Sequence, residues 1–304
     1  MRADPRFQDQ APVFWAYVRA ITEALGAAKR GSDKVAAYSL NEMIAALQKL
    51  GRPTAVLGNA SSPTRLGTLL LDYFNYRAAL LNNQVEKDLM HAEDAKSLYE
   101  EVVTRHADGP PVPVYGAKGV LVAESVLVRG KPVRIPMNKQ KDEKRTPAYL
   151  TGIVSVLIAY FLNGRDCDYD PQRIPVVDHE GGLYAALSRR MDGAFPSTEN
   201  PIAFWELKEY YYTTTFGSKI SDGVYITALD GYERREVEGA TGRNIDHIIM
   251  VDAHFTWWKK GKPYLCRFVD LINMGLVDEV MFGREVVRRI PGVVETWLRA
   301  SPNR

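Results

Sequence analysis

The sequence has few cysteines and no long apolar segment. Only Cys167 and Cys266 occur among the 304 residues, so no disulfide framework is predicted and a reducing compartment is favoured. The longest apolar run, 148–162, is interrupted by Thr151 and Ser155 and is too short to span a bilayer. The N-terminus lacks the layout of a signal peptide. We therefore expect a cytoplasmic protein without a membrane partner.

The motifs of several enzyme classes are also missing. The sequence has no Gly-x-Ser-x-Gly elbow, no phosphate-binding loop and no Gly-x-Gly-x-x-Gly turn. It therefore lacks the usual motifs of esterases, kinases and dehydrogenases. None of the five histidines is spaced with another as zinc ligands are. A strong excess of one charge is absent too, because the net charge is only +2. Such a balance permits a nucleic-acid partner without requiring one.

The most informative part of the chain combines one acid with a Glu-x-Lys motif. Asp192 lies in the short segment 191–195, and Glu206 and Lys208 lie in the apolar run 202–210. A strand alternates its faces with a period of two, so the two motif residues point the same way, roughly 7 Å apart. Burying two charges is costly unless something offsets the cost, and a metal ion held by carboxylates is one such offset.

The neighbouring segments favour a half-buried sheet. Residues 196–201 are rich in turn formers, so Asp192 and Glu206 are expected on adjacent antiparallel strands. Beyond the motif, 217–238 is predicted to be a helix and 247–253 an apolar strand. In an alternative interpretation, the motif residues lie on the solvated face of an edge strand and the first acid only opens a turn.

This arrangement resembles the PD-(D/E)XK nuclease superfamily, the fold of most type II restriction endonucleases, over residues 174–290. In that family the first acid and the Glu of the Glu-x-Lys motif bind a divalent metal, and the Lys positions or activates the attacking water. The resemblance implies that Asp192 and Glu206 are metal ligands and that Lys208 is the catalytic lysine. It further implies that Glu180 supplies an additional acid, as the family often has one before the first motif acid.

Two features depart from the family pattern. Met191 stands where the family has a proline. The segment 181–190 is predicted to be helical, which leaves little room for the strand that the family places between its first helix and the first acid. The run 174–177 is an alternative for that strand.

The chemistry of phosphodiester hydrolysis explains these residue types. An anionic nucleophile must approach an anionic phosphorus, and a hard cation with oxygen ligands relieves that repulsion while lowering the pKa of bound water. A lysine beside the carboxylates adds a positive charge that stabilises hydroxide or the developing phosphorane. The cofactor implied by the resemblance is Mg²⁺, with Mn²⁺ as the alternative.

The chain is predicted to contain two regions. Residues 1–108 show helical periodicity and are expected to serve DNA contact or dimerisation. Residues 109–304 are expected to form the nuclease core, an α/β fold whose mixed sheet is restriction-endonuclease-like. A polar, proline-rich linker at 106–113 separates the regions. The end of the core is predicted as helix, strand and helix at 264–274, 279–282 and 285–298.

The N-terminal region is predicted to contain several short helices. One covers 14–25, a second begins at a capping box formed by Ser39 and Glu42, a third covers 62–80 and a last one covers 92–105. These helices fit either an ordinary bundle or a helix-turn-helix-like DNA reader. In the reader, the residues facing the phosphates are Thr64, Arg65, Tyr76 and Arg77.

Two basic stretches are candidates for DNA contact. The tract 129–145 holds seven Lys or Arg against two acids and is expected to be a loop that contacts phosphates or is merely solvated. The segment 257–262 combines tryptophans and lysines at a predicted turn, where a buried tryptophan pair is the alternative. The run 210–215 is expected to continue the motif strand. The residues predicted to contact DNA are Arg129, Lys131, Arg134, Lys139, Lys141, Tyr210, Tyr212, Lys219, Lys259 and Lys260.

The sequence therefore favours a divalent-metal-dependent, sequence-specific endonuclease that cuts double-stranded DNA to 5′-phosphate and 3′-hydroxyl ends. Cutting both strands symmetrically needs two sites, so a homodimer is expected. The alternatives are a nuclease of the same fold in repair or RNA cleavage, a catalytically inactive DNA-binding protein, and a helical interaction module joined to an α/β domain.

Overall fold

The computed structural model describes residues 1–140, 143–212 and 218–301. The fold is α/β, as the sequence predicts, with helices packed on mixed and antiparallel sheets. A π-helical turn, Leu81–Val85, joins the third and fourth helices, and another, Phe255–Lys260, precedes the eighth. The helices, in chain order, are α1 (Pro12–Leu25), α2 (Leu40–Lys49), α3 (Arg65–Leu80), α4 (Glu86–Asp88), α5 (Ala92–His106), α6 (Tyr149–Leu162), α7 (Ser218–Thr241), α8 (Lys262–Asn273) and α9 (Glu285–Ala300).

The strands form two larger sheets and two small hairpins. One larger sheet is antiparallel with the order β3-β4-β5-β6, and the other is mixed with the order β13-β12-β11-β10-β7. The strands are β1 (Gly58–Asn59), β2 (Ser62–Pro63), β3 (Val112–Tyr115), β4 (Leu121–Val128), β5 (Lys131–Gln140), β6 (Glu143–Pro147), β7 (Asp168–Tyr169), β8 (Val176–His179), β9 (Gly182–Ala186), β10 (Gly193–Phe195), β11 (Ala203–Glu209), β12 (Asp246–Asp252) and β13 (Glu279–Phe282).

Strand β11 lies at the centre of the mixed sheet. It pairs antiparallel with β10 and parallel with β12, and β12 pairs parallel with β13. Helices α6 and α9 cover one face of this sheet, and α7 and α8 cover the other. Because both faces are covered, the strand sequence is a nearly continuous apolar run rather than an alternating one. Any charged residue on β11 is therefore forced into the interior.

The structure places the longest apolar run in a buried helix and leaves both cysteines as free thiols. The apolar run 148–162 forms α6, which is buried on nearly every side between α5, α9 and the sheets. Within the residues that the structure describes, no helix is long and apolar enough to cross a membrane. Cys167 and Cys266 are both free thiols.

The N-terminal helices occur where the sequence predicts them. The Ser39 side chain caps α2, and Glu42 completes the capping box. Helix α3 begins one turn later than the Ser-Pro pair suggests, because Thr64 is its N-cap. The proposed phosphate contact of Arg77 is wrong: its side chain is 0 % exposed and forms an ion pair with Asp270 of α8 at 3.0 Å.

Two stretches predicted as helix or loop are hairpins. Residues 181–190 are not helical, because Glu180 and Gly181 both have positive φ and form a two-residue turn between β8 and β9. The basic tract is not an open loop, because Arg129 and Gly130 form a similar turn between β4 and β5. In both cases the second turn residue is a glycine, which adopts the positive φ of a tight turn at low cost, and the pairing of the flanking strands stabilises the hairpin.

Two other predictions also differ from the structure. The motif strand ends at Glu209, so the tyrosines that follow it do not extend it, and 213–215 lie outside the described residues. The segment 257–262 is helical rather than a turn, and Trp257 and Trp258 are buried, as the alternative interpretation held. The run 174–177 contributes to β8, which pairs with β9 outside the mixed sheet, whereas β7 joins the mixed sheet beside β10.

Candidate active site

Strand pairing brings Asp192 next to the Glu-x-Lys motif. Asp192 lies directly before β10, whose Gly193 pairs with Trp205 of β11. Its backbone N–H donates to the Trp205 carbonyl at 3.1 Å, and its Oδ2 accepts a hydrogen bond from the Leu207 N–H at 2.6 Å. The register therefore places Asp192 opposite Glu206, and antiparallel neighbours have Cβ atoms about 5 Å apart.

Glu206 and Lys208 share one face of β11, as the strand period predicts. Lys208 Nζ donates to Glu206 Oε2 at 2.7 Å. The residues are only 3 % and 7 % exposed, respectively. Since β11 lies between two other strands, the alternative of a solvated edge strand is wrong. The predicted trio of Asp192, Glu206 and Lys208 is thus assembled in a buried environment.

Two further charged residues complete the cluster, and sequence reasoning missed both. Arg189 Nη1 lies 2.8 Å from Glu206 Oε1. The same guanidinium donates to Asp230 of α7, from Nη2 to Oδ2 at 2.7 Å and from Nε to Oδ1 at 3.0 Å. Arg189 therefore connects the motif strand to α7. We call Arg189, Asp192, Glu206, Lys208 and Asp230 the charged cluster.

The sequence does contain a signal for Asp230. On α7 the residues Gly223, Thr227, Asp230 and Arg234 recur at three- and four-residue spacing, which is the spacing of one helix face. The structure buries Thr227, Asp230 and Arg234 on that face, where apolar residues are the rule. Arg189 has no such signal, because its position depends on the β8–β9 hairpin.

Burial and charge set the protonation of the cluster. Burial, together with the neighbouring charge of Glu206, raises the pKa of Asp192 to about 7. Burial also raises the pKa of Asp230, although its bonds to Arg189 oppose this. For Lys208, burial favours the neutral amine, but the Glu206 carboxylate outweighs it and the pKa is raised. Three carboxylates thus face two cations, which leaves one excess negative charge when all five are ionised.

Asp192 and Glu206 suit a magnesium ion in number and in chemistry. Mg²⁺ usually takes one or two protein carboxylates and keeps several waters. Among the described residues, no group of three or more His, Cys, Asp or Glu side chains is arranged to hold a metal ion. Glu206 Oε1 makes no hydrogen bond of good geometry, although Arg189 lies beside it. The two carboxylates fit a metal ion once Arg189 moves away from that oxygen.

Glu180 is not part of this cluster. It lies at the tip of the β8–β9 hairpin with its side chain 86 % exposed, and its carboxylate is 3.9 Å from His179 Nε2. The structure therefore does not bring this third predicted acid to Asp192 and Glu206, the pair predicted to bind metal.

The cationic residues predicted to contact DNA fall in separate places. Arg129, Lys131 and Arg134 lie on the β4–β5 hairpin, whereas Lys259 and Lys260 end the π-helical turn before α8. Lys259 pairs with Asp33 at 2.6 Å, and Lys260 lies 5.8 Å from the centre of the Phe255 ring. On the hairpin, Arg129 lies over the Tyr160 ring. Lys131 pairs with Asp166, and Arg134 pairs with Asp170.

The remaining predicted DNA contacts are two tyrosines and three lysines. Tyr210 lines a cavity described below, and Tyr212 packs near Tyr211, with ring centroids 6.4 Å apart. Lys141 lies outside the described residues, and so do the side chains of Lys139 and Lys219.

A cavity of about 580 Å³ opens beside Asp192, on the α6 side of the mixed sheet. Asp192 is the member of the predicted trio that lines it, because Leu207 and Glu209 occupy the face of β11 opposite to Glu206 and Lys208. Burial raises the pKa of Glu209 to about 7. Its Oε2 accepts hydrogen bonds from the N–H and the hydroxyl of Thr151, while its Oε1 is buried and has no hydrogen bond of good geometry with the described residues.

Comparison with known proteins divides the chain into two matched segments. Residues 1–84 match the family model described as domain of unknown function DUF7690. No curated protein and no solved structure matches the chain. The larger segment, residues 90–297, contains the charged cluster and the cavity and matches the family model described as domain of unknown function DUF7687. The chain belongs to this DUF7687 family.

Proposed function

We propose that this chain is a divalent-metal-dependent DNA endonuclease of the type II restriction class, with Asp192 and Glu206 as metal ligands and Lys208 as the catalytic lysine. The observation that carries the proposal is their convergence at one end of two paired strands, with Lys208 Nζ 2.7 Å from Glu206. Two adjacent carboxylates beside a lysine form the side-chain set that metal-assisted phosphodiester hydrolysis needs.

The order of the elements supports the same proposal. The PD-(D/E)XK resemblance calls for a strand between the first helix and the first acid, and β7 stands between α6 and Asp192 and pairs with β10. The strand of the Glu-x-Lys motif is followed by α7 and then by β12, which pairs parallel with it. The position of β7 before Asp192 and the parallel pairing of β12 after α7 are both consistent with a PD-(D/E)XK core.

The residues of the cluster have separable roles in this chemistry. Lys208 keeps its proton at neutral pH because its pKa is raised, so it supplies a fixed positive charge to the negative charge that develops on the phosphate. The Leu207 N–H fixes the orientation of the Asp192 carboxylate. A bound Mg²⁺ supplies Lewis-acid polarisation of the phosphate and lowers the pKa of a coordinated water.

Arg189 must leave Glu206 before that carboxylate can serve as a ligand. In the structure Glu206 has a cation at each oxygen, Arg189 at Oε1 and Lys208 at Oε2. Arg189 is the more accessible of the two, with its side chain 27 % exposed, and its second partner Asp230 can retain it. We infer that a metal ion would take the place of Arg189 at Glu206 Oε1, while Asp230 would retain the guanidinium.

Substrate contact and assembly follow from the same proposal. Arg134 on the β4–β5 hairpin lines the cavity beside Asp192, and Arg129 and Lys131 add positive charge at the turn of the same hairpin. Contacts to phosphates provide affinity without sequence information. Cleavage of both strands of a duplex requires two copies of the site, so the proposed state is a cytoplasmic homodimer on double-stranded DNA.

One observation favours a second function, that of a catalytically inactive DNA-binding protein. Glu206 and Lys208 are almost fully buried and already neutralise each other, which is also what a purely structural ion pair does. In that case the β4–β5 hairpin would bind DNA and the charged cluster would only connect β11 to α7.

The experiment that tests these functions is cleavage of phage and plasmid DNA with Mg²⁺ or Mn²⁺. Wild type is compared with Glu206→Gln and Lys208→Met, which preserve side-chain size, and with the exposed controls Glu101→Gln and Lys96→Met. We expect discrete fragments from wild type and both controls, and none from the two site variants or in EDTA. Melting curves confirm that each variant is folded. Cutting that survives both site substitutions contradicts the assignment, and salt-dependent binding without cutting establishes the second function.

A further inference from the structure

The cavity beside Asp192 is not explained by metal-dependent hydrolysis alone. Its volume of about 580 Å³ is in the range of small-ligand pockets, roughly 300–1,000 Å³. A DNA duplex cannot enter such a space, since the major groove alone is about 12 Å wide. A single nucleotide can enter it only after it has left the base stack.

The rim of the cavity carries the chemistry that binds a phosphate. Arg134 and Arg190 both line it, from β5 and from the segment before Asp192. Arg190 Nη1 donates to Gln172 Oε1 at 2.7 Å, and Arg134 lies 3.6 Å from Asp170. Two guanidinium groups near one opening can bind a phosphate in bidentate geometry.

The interior of the cavity carries polar groups suited to a base. Asn138 of β5 has an amide that both donates and accepts, which is the pattern that reads base edges. Glu209 adds a carboxylate fixed by two hydrogen bonds from Thr151. Tyr169 and Tyr210 also line the cavity and provide aromatic surface for stacking.

We propose that this cavity takes one extrahelical deoxynucleotide of the DNA substrate, held beside Asp192, the member of the proposed catalytic trio that lines the cavity; the inference rests on the proposed nuclease function. The arginines bind the phosphate, Asn138 and Glu209 contact the edge of the base, and a tyrosine stacks on its face. Substrate selection by the enzyme then includes the identity of an unstacked base.

The direct test measures binding of the four deoxynucleoside 5′-monophosphates by saturation-transfer NMR and equilibrium dialysis. We expect wild type to bind at least one of them in the millimolar range or tighter. Asn138→Ala, which removes a proposed base contact, and Arg134→Ala, which removes a proposed phosphate contact, should each weaken binding about tenfold, the effect of losing roughly 1.4 kcal/mol of interaction. The matched controls Asn83→Ala and Arg105→Ala are exposed and remote from the cavity, and they should bind as wild type does.

The same measurement on Lys208→Met separates this inference from the nuclease proposal. Lys208 does not line the cavity, so its variant should bind nucleotide normally while failing to cleave DNA. Wild type that cleaves DNA but binds no mononucleotide overturns the cavity inference alone. Equal affinity in the cavity variants and their controls overturns it as well. Nucleotide binding without any DNA cleavage removes the nuclease function, and it overturns the inference that the bound nucleotide belongs to a DNA substrate.

Discussion

At the scale of single residues, the feature that matters most is the unequal number of charges in the cluster. Asp192, Glu206 and Asp230 are acids, and Arg189 and Lys208 are the only bases in the charged cluster. Buried like charges repel each other strongly, since the protein interior screens them poorly. The cluster therefore holds an excess negative charge once Asp192, whose pKa is about 7, is ionised, and a divalent cation can relieve that excess.

Replacing Arg189 should increase the excess of negative charge in the charged cluster. Arg189→Met leaves Asp230 without its ion-pair partner, so we expect the free energy of unfolding to fall by about 2 kcal/mol, less than for a fully buried pair. Mg²⁺ should then raise the melting temperature more in the variant than in wild type, because ligand binding to the native state stabilises it. Arg190→Met, the exposed neighbour, is the control. An equal response to Mg²⁺ in all three proteins would show that no metal competes with Arg189.

The pKa of Glu209 gives a second prediction at this scale. The folded protein keeps this carboxyl protonated up to about pH 7, whereas the ordinary value is 4.5, so the native state binds more protons between these limits. Its contribution to stability is present below pH 4.5 and is lost as pH rises to about 7. Glu209→Gln should remove that loss and reduce the slope by up to about 1.4 kcal/mol per pH unit. Urea unfolding over this range measures it, and curves parallel to those of wild type and Glu100→Gln would contradict it.

At the scale of elements, the sequence predicted regular helices and the motif strand well. The capping box of α2 and the apolar periodicity of α1 are local signals, and α1 and α2 follow them. The two hairpins were missed because their turns are only two residues long and their strands carry polar residues. The shared face of Glu206 and Lys208 was predicted because the period of a strand is local, whereas Arg189 reaches Glu206 only through the missed β8–β9 hairpin.

Two glycines of α7 allow a controlled test of how closely this helix packs against its neighbours, because one is crowded and the other is not. A Cβ added to Gly231 would lie 2.3 Å from the Leu276 carbonyl oxygen, whereas one added to Gly239 meets nothing within 4 Å. Gly231→Ala should therefore displace α7 with Asp230 and destabilise the protein by about 2 kcal/mol. Gly239→Ala should stabilise it by about 0.5–1 kcal/mol through helix propensity. Chemical denaturation distinguishes them, and similar effects of both would show that α7 is not held closely at Gly231.

At the scale of the whole molecule, buried polar contacts connect the N-terminal helices to the rest. Asp270 of α8 accepts from the Tyr73 hydroxyl at 2.5 Å and from Arg77 Nη1 at 3.0 Å, and all three residues are buried. The apolar core around α8 also includes Val35 from the loop before α2 and Leu81 from the π-helical turn after α3. The predicted boundary near residue 108 remains a prediction. In the structure, α5, which precedes this boundary in the chain, packs against α6, which follows it.

This connection predicts cooperative unfolding. Arg77→Met leaves the Asp270 carboxylate buried with a weakened set of partners, so we expect a loss of about 3 kcal/mol. Circular dichroism and tryptophan fluorescence should still report one coincident urea transition. Arg65→Met, on the exposed face of the same helix, should change little. Two separated transitions in wild type would instead show that the two regions fold independently.

The shared core around α8 has a consequence for how such chains evolve. One family match ends at residue 84 and the other begins at residue 90, yet Ala78 and Leu81 pack in the same core as Leu265 and Phe268. A relative that carried only the larger segment would leave this apolar surface bare. It would have to cover the surface with a separately encoded subunit or replace it with polar residues, so the two segments are expected to be inherited together or to meet again as partners.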